Sequence, residues 1–267
     1  MNKIKVLQIT DSLNVGGTEV LAVNIANSFV NYGVESHICS TREKGFLVDK
    51  INKNVRYFFL NKKNSLDLNA LFRLKSYIKK YEINIIHAHS TSLFFAVCLR
   101  VICPSLKLFW HNHTGANYKL QGFRLKVFQV LTRLTKGIIN VNNELNYWSI
   151  NKLKHKKTIK LNNFPVFIDL NCSTELHGKR NKRIVCLAAL RPEKDHLNLL
   201  EAFNIVRNKF PDWTLHLIGK DYNGSFWEVR TQENFKQLPN HNNVRSITAS
   251  LIHIARYDLK VVHGQKQ

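Results

Sequence analysis

Histidines stand two apart at two places in the chain, His87 and His89 in HAHS and His111 and His113 in HNHTG. Imidazole can accept or donate a proton near neutral pH, and its bare nitrogen is a common metal ligand. On a β-strand a spacing of two puts both side chains on one face, so each pair points one way, with its second member at the strand's carboxyl end. Three readings are open. The pairs could ligate zinc, but no clustered cysteine or carboxylate completes a recognised ligand set. They could be satisfied core histidines, or the terminal member of each pair, His113 above all, could face a ligand. A second cluster, Gly16, Gly17 and Glu19 in NVGGTE, lies between an apolar strand pattern and a helical one. Glycines there let backbone amides and the positive end of a helix approach phosphate or sugar. An ordinary tight turn with an acid near a helix start reads the same way, and the third glycine of a dinucleotide fingerprint is missing. A third cluster, Arg191 and Lys194 in RPEK, offers a forked donor and a point charge suited to a diphosphate; a solvated charged turn is the plain alternative.

The elements that must hold these residues alternate. KIKVLQIT (3–10) reads as a strand, the run that ends at Gly33 as a helix, and ESHICST (35–41) and VRYFFL (55–60) as strands. LNALFRLKSYIKKY (68–81) has helical spacing, NIIHAHS (84–90) is a buried strand with a polar end, and KLFWHNH (107–113) and GIINVN (137–142) are further strands around intervening helices. Such alternation predicts a doubly wound parallel sheet, whose ligands lie beyond the carboxyl ends of the strands. Both the glycine turn and the terminal histidines fall there. Residues 166–182, polar and ending in the charged run HGKRNKR, predict a linker between a domain over 1–165 and a second one over 183–267. In the second, RIVCLAAL, a long helix after RPEK and WTLHLIGK repeat the strand, helix, strand order.

The chain has 267 residues and 44% hydrophobic composition, enough for two modest packed domains. Forty Lys and Arg against eighteen Asp and Glu give a net charge of +22, which attracts polyanions and anionic lipid, although lysine is abundant throughout. In FRLKVFQVLTRLTK (123–136), Phe123, Val127, Val130, Leu131 and Leu134 recur at helical spacing beside Arg124, Lys126, Arg133 and Lys136. This fits a helix lying on a membrane surface and equally a core-facing helix with a solvated basic side. No nucleic-acid-binding motif accompanies the charge. The five cysteines are odd in number and show no paired spacing, as expected of reduced thiols. No leader and no apolar run of spanning length is visible, so the expectation is a cytoplasmic protein, peripheral at the inner face of the membrane.

Taken in order, VLQITDSLNVGGTE, NIIHAHS, HNHTG, GIINVNNEL, LNNFPVFIDL and IVCLAALRPEKDHLNLLEAFNIVRNKFPDWTLHLIGK resemble the retaining GT-B glycosyltransferases of family 4. The resemblance spans residues 3 to about 221 and implies an α/β protein of two Rossmann-type, doubly wound parallel-sheet domains, the second incomplete. It implies transfer of a sugar from a nucleotide-sugar to a hydroxyl of a glycan or lipid-linked acceptor, with retention, in surface-polysaccharide or lipopolysaccharide synthesis. By that likeness Gly16, Gly17 and Glu19 approach donor phosphate and acceptor, and His113 contacts the transferred sugar, with His111 and His89 as secondary candidates. Arg191 and Lys194 hold the diphosphate, and no metal or other cofactor is needed. The chain departs from the family at Phe164, where glycine is common. It also lacks any Glu or Asp after Asp258, although YDLKVV (257–262) resembles the strand that precedes the family's paired donor-site glutamates. That departure implies a shortened donor half, and with it the alternative of a non-catalytic homologue or partner subunit.

Overall fold

Six of the seven strands in the first part of the chain end on a polar residue. The computed structural model describes residues 3–164, 176–188, 194–219 and 244–248, and the chain divides into two compact units, 1–167 and 168–267. In the first unit the order is β1 (Lys5–Thr10), α1 (Gly17–Asn31), β2 (Glu35–Ser40), β3 (Arg56–Phe59), α2 (Leu68–Tyr81), β4 (Ile85–His89), α3 (Leu93–Ile102), β5 (Lys107–Asn112), α4 (Gly122–Thr132), β6 (Gly137–Asn140), α5 (Asn143–Asn151) and β7 (Thr158–Lys160). The strands form one seven-stranded sheet in the order β3-β2-β1-β4-β5-β6-β7, and every pairing in it is parallel. The expected doubly wound α/β architecture is therefore present.

Register divides each strand between two faces. Leu7, Ile9, Ile86, Ala88, Leu108, Trp110 and Ile138 share one face and pack with α2, α3 and the inner sides of α4 and α5 in a single large core. Helix α2 shows why the pattern works: Leu71, Leu74 and Ile78 recur on its buried side, each worth about 1.5–3 kcal/mol on burial, and Asp67 caps its start by accepting from the amide of Ala70 at 2.9 Å. The opposite face carries Val6, Gln8, Ile38, His87, His89, Phe109 and His111, because Gln8 is in register with Ile38 and His87, and His89 with His111. Helix α1 covers part of that face through Ala22, Val23 and Ala26 on Ile38.

The apolar stripe read in residues 123–136 divides: Phe123, Val130 and Leu134 are exposed, while Leu131 reaches the core together with Leu125 and Phe128. Helix α5 and strand β7 are additional elements. Helix α5 starts at the cap Asn142, whose side chain accepts from the amide of Leu145 at 2.8 Å; β7 is three residues long.

The second unit holds β8 (Arg183–Leu187), α6 (His196–Lys209), β9 (Thr214–Gly219) and β10 (Val244–Thr248), with the strands parallel in the order β10-β9-β8. Leu200 and Phe203 of α6 pack on Leu215 and Leu217 of β9. Of the expected linker, residues 176–182 lie along this unit: Lys182 reaches Asp212 and Gly178 approaches Thr214. Residues 166–175 and the strand expected at 257–262 lie outside the described residues.

The loop after β1 is held by a close backbone approach. Gly45 has φ +70°, and a Cβ there would run into the Leu13 carbonyl and the Asn14 amide. Gly45→Ala is expected to destabilise the first unit by about 2 kcal/mol or more, read as a lower urea midpoint with unchanged slope; an unchanged midpoint would show that the loop does not depend on that approach.

Candidate functional site

In an open parallel sheet the crevice lies where strand order reverses, here between β1 and β4. Asp11 stands at that point. Its carboxylate accepts from the hydroxyl of Thr41, after β2, at 2.7 Å and from that of Thr91, after β4, at 2.6 Å. Lys62, whose side chain is 4% exposed, brings Nζ to 3.7 Å from the same carboxylate and lies 4.6 Å from the centre of the Phe95 ring. Burial pushes the Asp11 carboxyl upward, but the two hydroxyls and the charges of Lys62 and Arg42 outweigh it and hold the group below the usual range. Burial likewise pulls the Lys62 ammonium down, with Asp11 only partly opposing.

From Asp11 the chain runs to Gly16 and Gly17 at the start of α1. Gly16 is the N-cap, extended at φ −155°, and brings no capping side chain. Glu19 supplies the negative charge in the first turn, and its carboxylate folds back over Gly16 where a Cβ would otherwise lie. Gly17 has open space beside it. The expected glycine turn thus sits at the positive end of α1, at the carboxyl edge of the sheet.

The four histidines of β4 and β5 form one column rather than two separate pairs. Ring centres are 4.5 Å apart for His87 and His89, 5.2 Å for His87 and His111, 5.3 Å for His89 and His113, and 4.1 Å for His111 and His113. His87, His89 and His111 are buried, and His113, just past the end of β5, is partly exposed. His89 uses both nitrogens, Nε2 with Gln8 Oε1 at 2.8 Å and Nδ1 with His113 Nε2 at 3.0 Å. Nε2 of His87, Nδ1 of His113 and both nitrogens of His111 have no partner among the described residues. Burial removes the solvation a charged imidazole needs, which takes His87 down to about 3, His111 to about 2 and His113 to about 4, with His89 also well below its usual value. The neighbouring rings add to the fall in all but His113. At neutral pH the column is uncharged. The floor at His87 continues into an apolar cavity of about 490 Å³ lined by Val6, Phe29, Ile85 and Phe109; it extends toward the amino ends of the strands, away from the glycine turn.

His87, His89 and His111 present ring nitrogens within 4.8 Å of one another, so their suitability for a metal can be tested on geometry. A tetrahedral zinc needs nitrogen lone pairs converging at about 2.0–2.1 Å. The ring planes are 8–36° apart, with His87 and His111 stacked and His89 tilted to both. To ligate a metal, His89 would have to give up a hydrogen bond.

Of the remaining expected residues, Lys194 is exposed and stands between β8 and α6 of the second unit, the junction assigned to it; Arg191 lies outside the described residues. Two residues that motif reading passed over matter here. Gln8 is an amide inside an apolar strand, and its only signal was a polar residue on the same face as the histidines. Asp11 follows directly on the strand end, in the stretch quoted only for its glycines.

The seven-stranded parallel sheet and the second parallel-sheet unit have the GT-B-like fold of solved glycosyltransferases. Within the first unit, residues 15–147 are similar to Glycosyltransferase Family 4. The chain is 22% identical over 236 residues to an uncharacterized glycosyltransferase of Haemophilus influenzae, a match covering 84% of this chain and 62% of that protein. It thus spans less than two thirds of that relative's length. Among solved structures it is similar to a glycosyltransferase from Rickettsia africae, at 19% identity and a TM-score of 0.71, covering 95% of this chain and 71% of that one. It is also similar to HepE of Anabaena, solved in complex with UDP and glucose, at 17% identity and a TM-score of 0.70, covering 94% and 71%.

The neutral column makes stability depend on pH. In the unfolded chain each histidine takes up a proton near pH 6.5, whereas in the folded protein His113 does so only near pH 4 and His87 near pH 3. Below pH 6.5 the unfolded state binds more protons, so stability falls as pH falls, by up to about 1.4 kcal/mol per group and pH unit, until the folded pKa values are reached. Urea unfolding at pH 7.5 and 5.5 measures the loss, and His111→Phe is expected to make it smaller by one group's share. Equal stability at the two pH values would mean that the column is not buried neutral.

Proposed function

We propose that these residues belong to a nucleotide-sugar-dependent glycosyltransferase that moves a sugar onto a hydroxyl of a glycan or lipid-linked acceptor, with retention and without a metal ion. The observation that carries the reading is the uncharged histidine column, ending at the partly exposed His113, on the same sheet edge as the glycine turn at the positive end of α1. A sugar is a dense array of hydroxyls, and bare ring nitrogens accept from hydroxyls; a helix start with exposed glycine suits an anionic phosphate or a polarised hydroxyl. Similarity to HepE, whose structure contains UDP and glucose, supports the nucleotide-sugar class. In this reading Gly16, Gly17 and Glu19 border the donor phosphate and acceptor, His113 touches the transferred sugar with His111 and His89 behind it, and Arg191 and Lys194 neutralise the diphosphate as it leaves. The engagement of both His89 nitrogens with Gln8 and His113 supports the metal-free form.

The same reading places the protein in the cytoplasm, at the surface of the inner membrane, where a lipid-linked acceptor is found and surface polysaccharide or lipopolysaccharide is built. No helix among the described residues is long and apolar enough to cross a membrane. The support for surface binding is α4 and its following turn, where exposed Phe123, Val130 and Leu134 lie among exposed Arg124, Lys126, Arg133 and Lys136. Such a stripe buries apolar side chains at the lipid boundary while lysine and arginine meet anionic headgroups.

Two measurements test these statements. Turnover of UDP- and GDP-sugars should be detectable, and His113→Ala should lower it by about 100-fold, as loss of one well-placed hydrogen-bonding group does. Failure to bind any of these sugars at millimolar concentration would overturn the assignment. Sedimentation with vesicles containing anionic lipid should carry the protein down at low salt, and Phe123→Ser with Val130→Ser should release most of it. Absence of binding by the native protein would remove the membrane part.

A further inference from the structure

Gln8, His89 and His113 form a hydrogen-bonded chain that runs from β1, through β4, to the end of β5. Each link fixes the next. The amide oxygen of Gln8 can only accept, so the 2.8 Å contact requires the hydrogen to be on His89 Nε2. A neutral imidazole has a single N–H, which leaves His89 Nδ1 bare and able only to accept. The 3.0 Å contact then requires His113 to donate from Nε2, and its own Nδ1 is left as a lone pair. That atom is buried and has no partner among the described residues. Gln8 is itself fully buried at the switch point, and the rings it controls are held neutral by burial.

We infer that Gln8, acting through His89, locks His113 in its Nε2–H form, so that Nδ1 of His113, buried in the unliganded protein, is held as an acceptor for a sugar hydroxyl that displaces its cover on binding, and turns away phosphate oxygens. Gln8 and His89 are positioning residues: neither needs to touch the ligand. The chemical selectivity follows from the bare nitrogen. A hydroxyl can donate to it, whereas a phosphate oxygen at neutral pH brings only lone pairs and is repelled. The opposite tautomer would reverse the preference, and a wrongly held histidine tautomer is known to be costly to an active site. The sugar half of the inference rests on the proposed glycosyltransferase reading; the tautomer half does not.

The test is nitrogen-15 NMR of histidine-labelled full-length protein at pH 7.5, with assignment through His89→Asn and His113→Asn. In the native, unliganded protein His113 is expected to show a protonated Nε2 and an unprotonated Nδ1. Gln8→Met, which keeps the length and loses the oxygen, should mix the two tautomers, and Gln8→Glu, which keeps an accepting oxygen, should restore the native pattern. A protonated Nδ1 in the native protein, or an unchanged pattern in folded Gln8→Met, overturns the relay; the native spectrum decides the first point even where a variant does not fold. Titration with UDP-glucose and GDP-mannose should move the Nδ1 resonance of His113, while UDP and GDP alone leave it in place. An equal shift with the bare nucleotides overturns the sugar assignment. No binding of any of the four overturns the glycosyltransferase reading and, with it, the sugar half, and leaves the tautomer result standing by itself.

Discussion

The carboxylate of Asp11 is the point on which the site's geometry depends. Parallel strands end side by side with their last carbonyls and side chains unpaired, and the switch point adds a gap because the connections leave in opposite directions. Asp11 closes that gap. It takes hydroxyl hydrogen bonds from the residues that follow β2 and β4, and its own carbonyl accepts from the amides of Arg42 and Glu43. Lys62 comes from the end of β3 to neutralise it, with its stem buried and its ammonium against the Phe95 ring. Removing one member of this partly buried pair leaves an uncompensated charge, at a cost below the about 3–5 kcal/mol of a fully buried pair. The glycine turn therefore leaves the sheet from a fixed origin, and Gly45 pins its middle from the other side.

The two faces of the sheet follow different rules from the same register. One is filled with aliphatic side chains and Trp110, and its polar requirement is small: Trp110 Nε1 finds the carbonyl of Ser90 at 3.0 Å. The other carries four imidazoles and an amide with few partners. Leaving such a group unpaired costs about 1–3 kcal/mol, so a column with four unpaired ring nitrogens among the described residues is held in place by the stability of the opposite face. Unmade hydrogen bonds of this kind at a strand's carboxyl edge are what a polyhydroxylated ligand would complete.

Much of this organisation was legible in the chain. The bounds of α2 follow from its spacing, since Asp67 caps it and Leu71, Leu74 and Ile78 recur on one side. The common face of His87 and His89, and of His111 and His113, follows from the period of a strand. What was not legible depends on contacts far apart in sequence. That the two pairs form one column is set by the pairing of β4 with β5. In α4 the side that meets the core is set by what lies opposite, and Leu125 and Phe128, outside the stripe read from spacing, join Leu131 there. Strand β7 is too short for a periodic signal. Gln8 looks like any polar residue in a strand until His89, 81 positions away, is brought to it.

A charge argument joins these pieces. The protein carries +22 overall, yet the interior of its site is a neutral column of acceptors beside an internally compensated Asp11 and Lys62. In water a nucleotide-sugar has two dissimilar ends, an anionic diphosphate and a neutral polyol. A uniformly cationic crevice would attract the first and do nothing to orient the second. Burial strips the histidines of charge, so on the proposed reading the sheet edge would suit the polyol and the positive start of α1 the diphosphate. Recognition of the sugar would then depend on desolvation, the same physical effect that makes the column costly to build.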